Sequence, residues 1–434
     1  MDVATLAGTV LVVGIAVLML LGAPISVAVG LSSALAAVSA LGFENGLLTS
    51  AQQMFRGINS FSLLAIPFFV LAGVIMNNGG IALRLINAAK VLVGRMPGSL
   101  AQTNVAANAL FGAVSGSAVA AVAAVGSTMA PMQAKEGYDR NFAAATNIAS
   151  APAGMLIPPS NLMIVYSLVS STSIATLFVA GYAPGILWAV VCMLIVHLYS
   201  RKRSQLRVAD QPNWAMRARI ILDAVPALLL IVVVIGGILA GYFTPTEGSC
   251  VAVVYSLVLS FLYRAIKVRD LKGILYTATV TTSVVMFLIG VSTIMSWVMS
   301  FAGIPAMVAD TMFALTDNTT VLLILILVAT LVIGCFMDPT PAVLIFVPIF
   351  LPIVSSFGMD PIHFGMVMIL ALSIGTITPP VGPVLFVGAK VSDRRIEDVI
   401  RNLVPYFVAL VVLLVIVAFV PQLSLWLPGL IGLL

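Results

Sequence analysis

One carboxylate stands alone in the most apolar part of the chain. Asp338 is the only charged residue between Asp317 and Asp360. An ionisable side chain in such surroundings is costly inside a membrane and therefore indicates a function. We predict that Asp338 is a cation ligand. A structural alternative stays open, because an aspartate directly before a proline, here Pro339, is also a favourable start for a helix, and one residue can fill both roles.

Asp338 belongs to the second of two similar segments that lie about 221 residues apart, and at that offset Ser117 stands opposite it. Ser117 offers a neutral oxygen where the second segment has a charged one. The shared landmarks are Pro131 and Pro352, Gly137-Tyr138-Asp139 and Gly358-Met359-Asp360, Pro158-Pro159 and Pro379-Pro380, and Pro184 and Pro405. Such a duplication in an apolar chain is typical of membrane transporters, whose substrate sites lie where the repeats meet.

The two proline pairs interrupt apolar stretches at 141–172 and 361–390. Two consecutive prolines remove two amide donors and clash with the preceding turn of a helix. Unwound backbone at membrane depth is tolerated only where it is buried or lines a cavity. Its carbonyl oxygens suit a hard cation such as sodium, and the helix N-termini beside it favour an anion. One such kink alone would indicate a structural role, but two at matched positions favour a functional one.

The composition indicates a polytopic membrane protein. The chain is 61% hydrophobic and 8% charged, whereas soluble domains carry about 25% charged residues. Its positive charge is concentrated in loops near 84–95, 201–219 and 264–272, which places these loops in the cytoplasm and the N terminus outside. This pattern indicates a lipid bilayer and no nucleic acid as a partner. The predicted spans are 5–22, 24–42, 61–78, 141–172, 174–199, 220–242, 247–263, 274–300, 361–390 and 401–420.

Two apolar regions, 101–134 and 319–357, do not fit as simple spans. The first is broken at Ser115-Gly116-Ser117, and the second from Gly334 to Pro341. The first arm has roughly 14 residues, or about 21 Å of helix, which is too short for a core of about 30 Å. We therefore predict two re-entrant helical hairpins of inverted orientation. The alternative is a kinked pair of tilted spans.

The sequence indicates that the chain is not an enzyme. It contains no phosphate-binding loop and no His-Glu-x-x-His motif, so neither ATP hydrolysis nor that zinc chemistry is expected. The enzymatic rival is an intramembrane protease that uses Asp338 or a serine. An aspartyl protease needs a second membrane aspartate, and the sequence shows none.

The motifs Ser115-Gly116-Ser117-Ala118, Pro158-Pro159-Ser160-Asn161, Asp338-Pro339-Thr340-Pro341 and Thr378-Pro379-Pro380-Val381-Gly382 resemble those of the large membrane subunit of TRAP (tripartite ATP-independent periplasmic) transporters. The resemblance covers essentially the whole chain. It implies an elevator-type fold in the bacterial inner membrane and sodium-driven uptake of a carboxylate such as a C4-dicarboxylate or sialic acid. It also implies two partners, a small four-helix membrane subunit and a soluble periplasmic binding protein. A sodium- or proton-coupled anion carrier that acts alone is the alternative.

With the motifs and the resemblance taken together, we predict an all-helical fold of inverted repeats with two hairpins and two broken helices. Scaffold helices are expected in 1–80 and 201–302, arm helices in 81–100 and 303–318, and the transport domain in 101–200 and 319–434. The predicted sodium ligands are Ser115, Gly116, Ser117, Pro158, Pro159, Ser160 and Asn161 for one site, and Gly334, Asp338, Thr340, Thr376 and Thr378 for another. The predicted substrate contacts are Ser117, Ser160, Asn161, Thr340, Pro379 and Gly382.

Overall fold

The computed structural model describes residues 3–201, 213–316 and 318–434, and all regular elements in these ranges are helices. The all-helical prediction is confirmed. Several charges used to predict the topology, namely Lys202, Arg203, Arg207 and Asp317, lie outside the described residues.

Eleven helices precede the basic loop near 201–212, and ten follow it. The first group is α1 Val3–Leu20, α2 Ile25–Leu41, α3 Phe43–Ile58, α4 Ala65–Asn78, α5 Ile81–Val93, α6 Ser99–Ser115, α7 Ala118–Lys135, α8 Arg140–Ser150, α9 Ala153–Leu156, α10 Asn161–Ser170 and α11 Ile174–Arg201. The second group is α12 Trp214–Leu239, α13 Pro245–Leu262, α14 Leu271–Phe301, α15 Ile304–Leu315, α16 Thr319–Phe336, α17 Pro339–Ser356, α18 Pro361–Gly375, α19 Pro383–Val391, α20 Ile396–Phe419 and α21 Gln422–Leu430.

Nine helical segments in the described ranges are long and apolar enough to cross a membrane, and a bent pair adds a tenth. The bent pair is Arg140–Leu156 with Asn161–Ser170, which meet at 46° across the first proline pair. The four hairpin arms, α6, α7, α16 and α17, have 17 or 18 residues each. At 1.5 Å per residue they are about 26 Å long, which is longer than the sequence suggested. Helices α16 and α17 are themselves two of the nine segments that are long and apolar enough to cross a membrane. Their re-entrant placement stays a prediction.

The two segments have the same kinds of turn and helix-capping residues at matched positions. Gly80 and Gly303 have φ angles of 70° and 65° and begin the arm helices α5 and α15. A left-handed conformation of this kind is one that glycine adopts without strain. Asp139 and Asp360 cap α8 and α18, and each carboxylate accepts hydrogen bonds from two backbone N–H groups. Capping of this kind satisfies amides that the first turn of a helix leaves unpaired.

Each helix that follows a hairpin tip packs against a helix of the other segment. Helix α7 of the first segment packs against α19 of the second, and α17 of the second packs against α10 of the first. At one of these contacts, a Cβ atom added to Gly388 would lie 2.9 Å from the Cγ2 atom of Val122. The first arms stay within their own segment, because α6 packs on α8 and α9 while α16 packs on α18. The two segments therefore build one body.

One helix in the predicted scaffold was missing from the predicted spans. Helix α3 covers residues 43–58, which the predicted spans leave out, and it folds back on α2, where Gly46 meets Val38. Its sequence is polar enough to escape detection as a span, with charged residues in its first and last turns. In the second segment α14 is one continuous helix of 31 residues. Its counterpart in the first segment is divided into α3 and α4 at Asn59 and Ser60.

Candidate functional site

The first hairpin turns at Gly116 and Ser117, between α6 and α7. Gly116 has a φ angle of 63°, a left-handed conformation that permits the sharp reversal. The Ser117 hydroxyl accepts a hydrogen bond from the Ala120 N–H at 3.3 Å and so caps α7. The tip also meets the first broken helix, because a Cβ atom on Gly116 would lie 3.2 Å from the Pro159 carbonyl oxygen.

The second hairpin turns at Met337 and Asp338. The Asp338 carboxylate accepts a hydrogen bond from the Thr340 N–H at 3.1 Å, so Asp338 is the N-cap of α17 with Pro339 as the first helical residue. Ser117 and Asp338 therefore play the same structural part in their hairpins, as the offset of about 221 residues predicts. Only the second cap carries a charge, and its side chain is exposed.

The first broken helix stops at Leu156 and resumes at Asn161. Between them the Ser160 hydroxyl donates to the Met155 carbonyl oxygen at 2.6 Å, and its side chain is fully buried. This hydrogen bond fixes the course of the interruption and turns the Ser160 hydroxyl proton toward the protein interior. The peptide bond between Pro158 and Pro159 is cis, as is the one between Pro379 and Pro380.

The second broken helix stops at Gly375 and resumes at Pro383. The interruption folds back on itself, because the Thr376 carbonyl oxygen accepts hydrogen bonds from the Val384 and Leu385 N–H groups at 3.1 and 3.3 Å. It is also tied to the second hairpin, since the Val381 N–H donates to the Cys335 carbonyl oxygen at 3.3 Å. Each hairpin tip thus contacts the break of its own segment.

A cavity of about 600 Å³ lies where both tips and both broken helices face the predicted scaffold. From the predicted transport domain it is lined by Gly116, Ser117, Ala118, Val119, Met155, Asn161, Leu162, Val165, Asp338, Pro339, Thr340, Pro341, Thr376, Pro383 and Val384. From the predicted scaffold it is lined by Pro24, Ile25, Ser26, Ile66, Val70, Val280, Thr281, Val284, Val285 and Leu288.

The electrostatics of the cavity combine one fixed negative charge with several positive helix ends. Asp338 is the one charged side chain among the described residues that line it. Helices α2, α7, α10, α17 and α19 all begin at the cavity. A helix N-terminus carries a partial positive charge and unpaired N–H groups, which attract anions. The arrangement can therefore accommodate a cation beside Asp338 and an anion at the helix ends.

Six of the predicted site residues meet in this cavity, namely Gly116, Ser117, Asn161, Asp338, Thr340 and Thr376. The others do not line it. Gly334 lies inside α16, because that helix continues to Phe336, so the break in the second hairpin is shorter than predicted. Gly382 is buried, and a Cβ atom there would lie 2.8 Å from the carbonyl oxygens of both Thr376 and Thr378. The remaining predicted residues outside the lining are Ser115, Pro158, Pro159, Ser160, Thr378 and Pro379.

Two polar lining residues were missed by the sequence reasoning. Ser26 and Thr281 reach the cavity from the predicted scaffold, whose other lining residues are apolar. The Thr281 hydroxyl donates a hydrogen bond to the Thr277 carbonyl oxygen at 3.0 Å. Both hydroxyls stand in apolar helices. Ser26 had one available signal, because Pro24 lies 221 residues before Pro245, where α13 begins, and Thr281 had none.

The family model described as "Tripartite ATP-independent periplasmic transporter, DctM component" matches residues 12–423. This chain belongs to the DctM family. It is therefore a multi-pass inner-membrane permease, not an enzyme, and takes part in ATP-independent secondary uptake of a solute. The resemblance and the membrane location inferred from the sequence are confirmed.

Curated relatives match the DctM chain over most of its length. The uncharacterized protein YgiK of Salmonella typhimurium is 50% identical over 416 residues, covering 96% of this chain and 95% of the relative. The sialic acid large permease SiaM of Vibrio cholerae is 38% identical over 390 residues, covering 89% and 91%. The 2,3-diketo-L-gulonate large permease YiaN of Escherichia coli is 41% identical over 376 residues, covering 86% and 88%.

A solved structure supports the architecture. The crystal structure of the YdaH transporter of Alcanivorax borkumensis superposes with a TM-score of 0.63 and covers 90% of each chain. At 15% identity this match concerns the fold alone.

Proposed function

We propose that this DctM chain takes up a small organic anion together with sodium, by an elevator movement of the hairpin domain along the scaffold. The observation that carries the proposal is that Ser117 and Asp338, the caps of the two hairpins, face one cavity at the boundary between the two parts. A substrate bound between two hairpin tips can be opened to either side of the membrane when the domain that holds it moves.

Sodium coupling is supported by the oxygen atoms at the two tips. Asp338, Thr340 and Thr376 bring a carboxylate and two hydroxyls to one side of the cavity. On the other side the backbone oxygens of the first break lie near Gly116. Hard oxygen ligands of this kind suit a small cation, and discontinuous helices supply them in sodium-coupled transporters.

The helix N-termini at the cavity favour a substrate that carries an anionic group. The cavity has five helix N-termini and no arginine or lysine among its described lining residues. Relatives are named for sialic acid, for isethionate, for C4-dicarboxylates and for 2,3-diketo-L-gulonate. All of these carry a carboxylate or a sulfonate, so an organic acid of this size class is the substrate we propose.

An elevator movement is supported by the wall that faces the tips. The scaffold side presents Ile66, Val70 and Val284 among its mostly apolar lining residues. A wall with few hydrogen-bonding groups leaves few bonds to break when a neighbouring surface slides past it. The arm helices α5 and α15 each start at a left-handed glycine, Gly80 and Gly303, and connect the two parts.

Two partners complete the proposed transporter. The isethionate permease DctMQ of Oleidesulfovibrio alaskensis is 36% identical over 415 residues, and this chain covers 65% of its length. The remainder of that relative leaves room for a fused small component. We propose that a separate small four-helix membrane subunit takes this place beside our chain, and that a soluble periplasmic protein delivers the anion.

Reconstitution tests the proposal. Proteoliposomes that contain the chain and its membrane partner should take up a labelled organic acid only when the binding protein and an inward sodium gradient are both present. The chain alone should give negligible uptake. Full uptake of free acid by the isolated chain would identify a stand-alone carrier, and uptake driven equally by potassium would remove sodium coupling.

A further inference from the structure

Four polar side chains form a cluster inside the predicted transport domain, away from the cavity. They are Asn104 and Asn108 on α6 and Asn147 and Ser150 on α8, with exposed fractions of 0–2%. None of them lines the cavity. Asn108 precedes Ser115 by about two helical turns, or about 10 Å along α6. The cluster, which we call the asparagine cradle, is therefore separate from the first hairpin tip.

The cradle contains more hydrogen-bond acceptors than the Asn108 amide group can donate to. The Asn108 Nδ2 atom lies 2.9 Å from Asn104 Oδ1, 3.0 Å from Asn147 Oδ1, 3.3 Å from the Asn147 carbonyl oxygen and 2.8 Å from Ser150 Oγ. An amide nitrogen has two hydrogens. Four oxygen atoms thus surround a nitrogen that carries two hydrogens, so at any time two of the four oxygens receive no hydrogen bond from it.

Two further amide atoms of the same cluster have no partner. Asn108 Oδ1 and Asn104 Nδ2 are buried and make no hydrogen bond. Leaving buried polar atoms unpaired is unfavourable, and each such case in a native protein calls for a reason. The two unpaired atoms and the surplus of acceptors belong to one hydrogen-bond network, and that network is incomplete.

The second segment has no polar residues at the matching positions. At the offset of 221 residues the second segment has Leu325, Ala329, Met368 and Ala371 in place of Asn104, Asn108, Asn147 and Ser150. All four counterparts are apolar, yet the second segment forms the same hairpin and the same broken helix. Helix α6 therefore has buried polar residues where its counterpart α16 has apolar ones.

We propose that the asparagine cradle binds a monovalent cation, namely sodium, through neutral oxygen ligands. Rotation of the Asn108 amide by 180° turns its Oδ1, in place of its nitrogen, toward the other oxygens of the cluster. The side-chain oxygens of the three asparagines, the Ser150 hydroxyl and the Asn147 carbonyl then offer five oxygens to one ion that lies between them. In the absence of the ion, the partly positive NH₂ group of Asn108 faces these oxygens instead.

The neighbouring bonds keep the ligands oriented. Asn147 Nδ2 donates to the Val122 carbonyl oxygen at 2.9 Å, which turns its Oδ1 toward Asn108. The Ser150 hydroxyl donates to the Thr146 carbonyl oxygen at 2.7 Å, so its lone pairs stay free to face the cradle. The ligand set has no formal charge, which suits a monovalent ion better than a divalent one, since divalent ions are usually held by carboxylates.

Sodium is chosen because of the proposed coupling, and the inference rests on the proposed function in that respect only. The cradle adds a cation position that neither hairpin tip ligates. It makes the first segment, which lacks a counterpart of the Asp338 charge, able to hold an ion within its own interior.

Direct binding measurements test the cradle. The purified chain is loaded with ²²Na⁺ and the bound ion is counted by scintillation proximity, without transport. Asn108→Ala and Ser150→Ala each install the residue found in the second segment, and each should lower the bound sodium by one equivalent per chain. Thr146→Val is the matched control, because Thr146 is buried beside the cradle without supplying a side-chain ligand, and it should leave the number unchanged.

A double variant at the tips separates the two proposals. Ser117→Ala with Asp338→Asn should still retain one equivalent of sodium if the cradle binds it. Loss of all binding in this double variant, or wild-type stoichiometry in folded Asn108→Ala and Ser150→Ala, would overturn the cradle. Retained full binding in the double variant with loss in Asn108→Ala would support the cradle and overturn the tip sites. Monodisperse elution and unchanged thermal unfolding in potassium establish that each variant is folded.

Discussion

Gly154 of α9 lies directly against Gly112 of α6, so closely that a methyl group on either residue would overlap the backbone of the other. In the second segment Gly375 of α18 meets Gly334 of α16 in the same way. Each hairpin is thus pressed against its own broken helix just before the tip. Small residues at helix crossings permit such an approach within membranes.

Enlarging one of these glycines should destabilise the fold. Gly154→Val forces a branched side chain into the Gly112 backbone, and overpacking of this kind costs about 1–3 kcal/mol or more. Thermal unfolding in detergent, followed by size-exclusion chromatography, should show a lower midpoint. Gly236→Ala is the control, since that helical glycine has nothing within 4 Å of an added Cβ. Equal midpoints for the two variants would contradict the contact.

Neutralising Asp338 should weaken sodium dependence without loss of the fold. Asp338→Asn keeps the cap of α17, because asparagine is as good an N-cap as aspartate, but removes the negative charge from the cavity. In the reconstituted transporter, the sodium concentration for half-maximal uptake should rise at least about tenfold, which corresponds to about 1.4 kcal/mol.

Asp360→Asn provides the control for Asp338. Asp360 also caps a helix that begins with proline, and its carboxylate accepts from the Ile362 and His363 N–H groups. It does not line the cavity. Its variant should leave the sodium dependence at the wild-type value, and a shift equal to that of Asp338→Asn would mean that capping, not ligation, explains both.

Sodium should protect a native thiol near the second tip. Cys335 lies three residues before Asp338, is half-buried, and its carbonyl oxygen is tied to the second break through Val381. If sodium orders the tip, thiol labelling of Cys335 should slow several-fold in sodium relative to potassium. The measurement uses a chain with Cys250 replaced, because Cys192 is fully buried. Identical rates in the two salts would place the ordering elsewhere.

Helix α5 should be fastened to the end of α13 by a cation–π contact. The Arg84 guanidinium lies 3.4 Å from the centre of the Tyr263 ring, and its Nη1 donates to the Gly80 carbonyl oxygen at 3.1 Å. A double-mutant cycle with Arg84→Met and Tyr263→Leu should give a coupling energy of about 0.5–2 kcal/mol. Additive unfolding energies would show that the two residues do not stabilise each other.

The inverted orientation of the hairpins has a labelling test. With the native cysteines replaced by alanine, a single cysteine at Lys135 should react only with reagent on the cytoplasmic side. One at Thr319 should react only from the periplasm. The first position ends α7, the second arm of the first hairpin, and the second position begins α16, the first arm of the second hairpin. Reaction of both from the same face would exclude the inverted arrangement.

The local devices of the site were predictable from sequence because they depend on few residues. Paired prolines break a helix wherever they stand, and an aspartate before a proline caps one, so the breaks near Pro158 and Pro379 and the cap at Asp338 needed no knowledge of packing. Gly334 shows the limit of this reasoning. A glycine can end a helix or allow a close contact, and only its position opposite Gly375 identifies the second role.

Residues that matter through distant packing could not be placed in advance. Ser26 and Thr281 are far apart in the chain and meet at one cavity only because α2 and α14 are adjacent. Helix α3 was missed because its polar residues mask an apolar pattern, although the helix packs on α2 and α14. The asparagines of the cradle did leave a signal, since Asn104 and Asn108 are one turn apart with apolar counterparts in the second segment.

The exchange of helices between the two segments has a consequence for biosynthesis. Helix α10 is complete at Ser170, but its partner α17 begins only at Pro339, and α7 waits still longer for α19. At a synthesis rate of about 5–20 residues per second, α10 stays in the membrane without its partner for about ten to thirty seconds. The first half therefore enters the bilayer with faces prepared for helices that the ribosome has not yet made. The contacts between α7 and α19 and between α10 and α17 therefore form late, after the first half has been inserted.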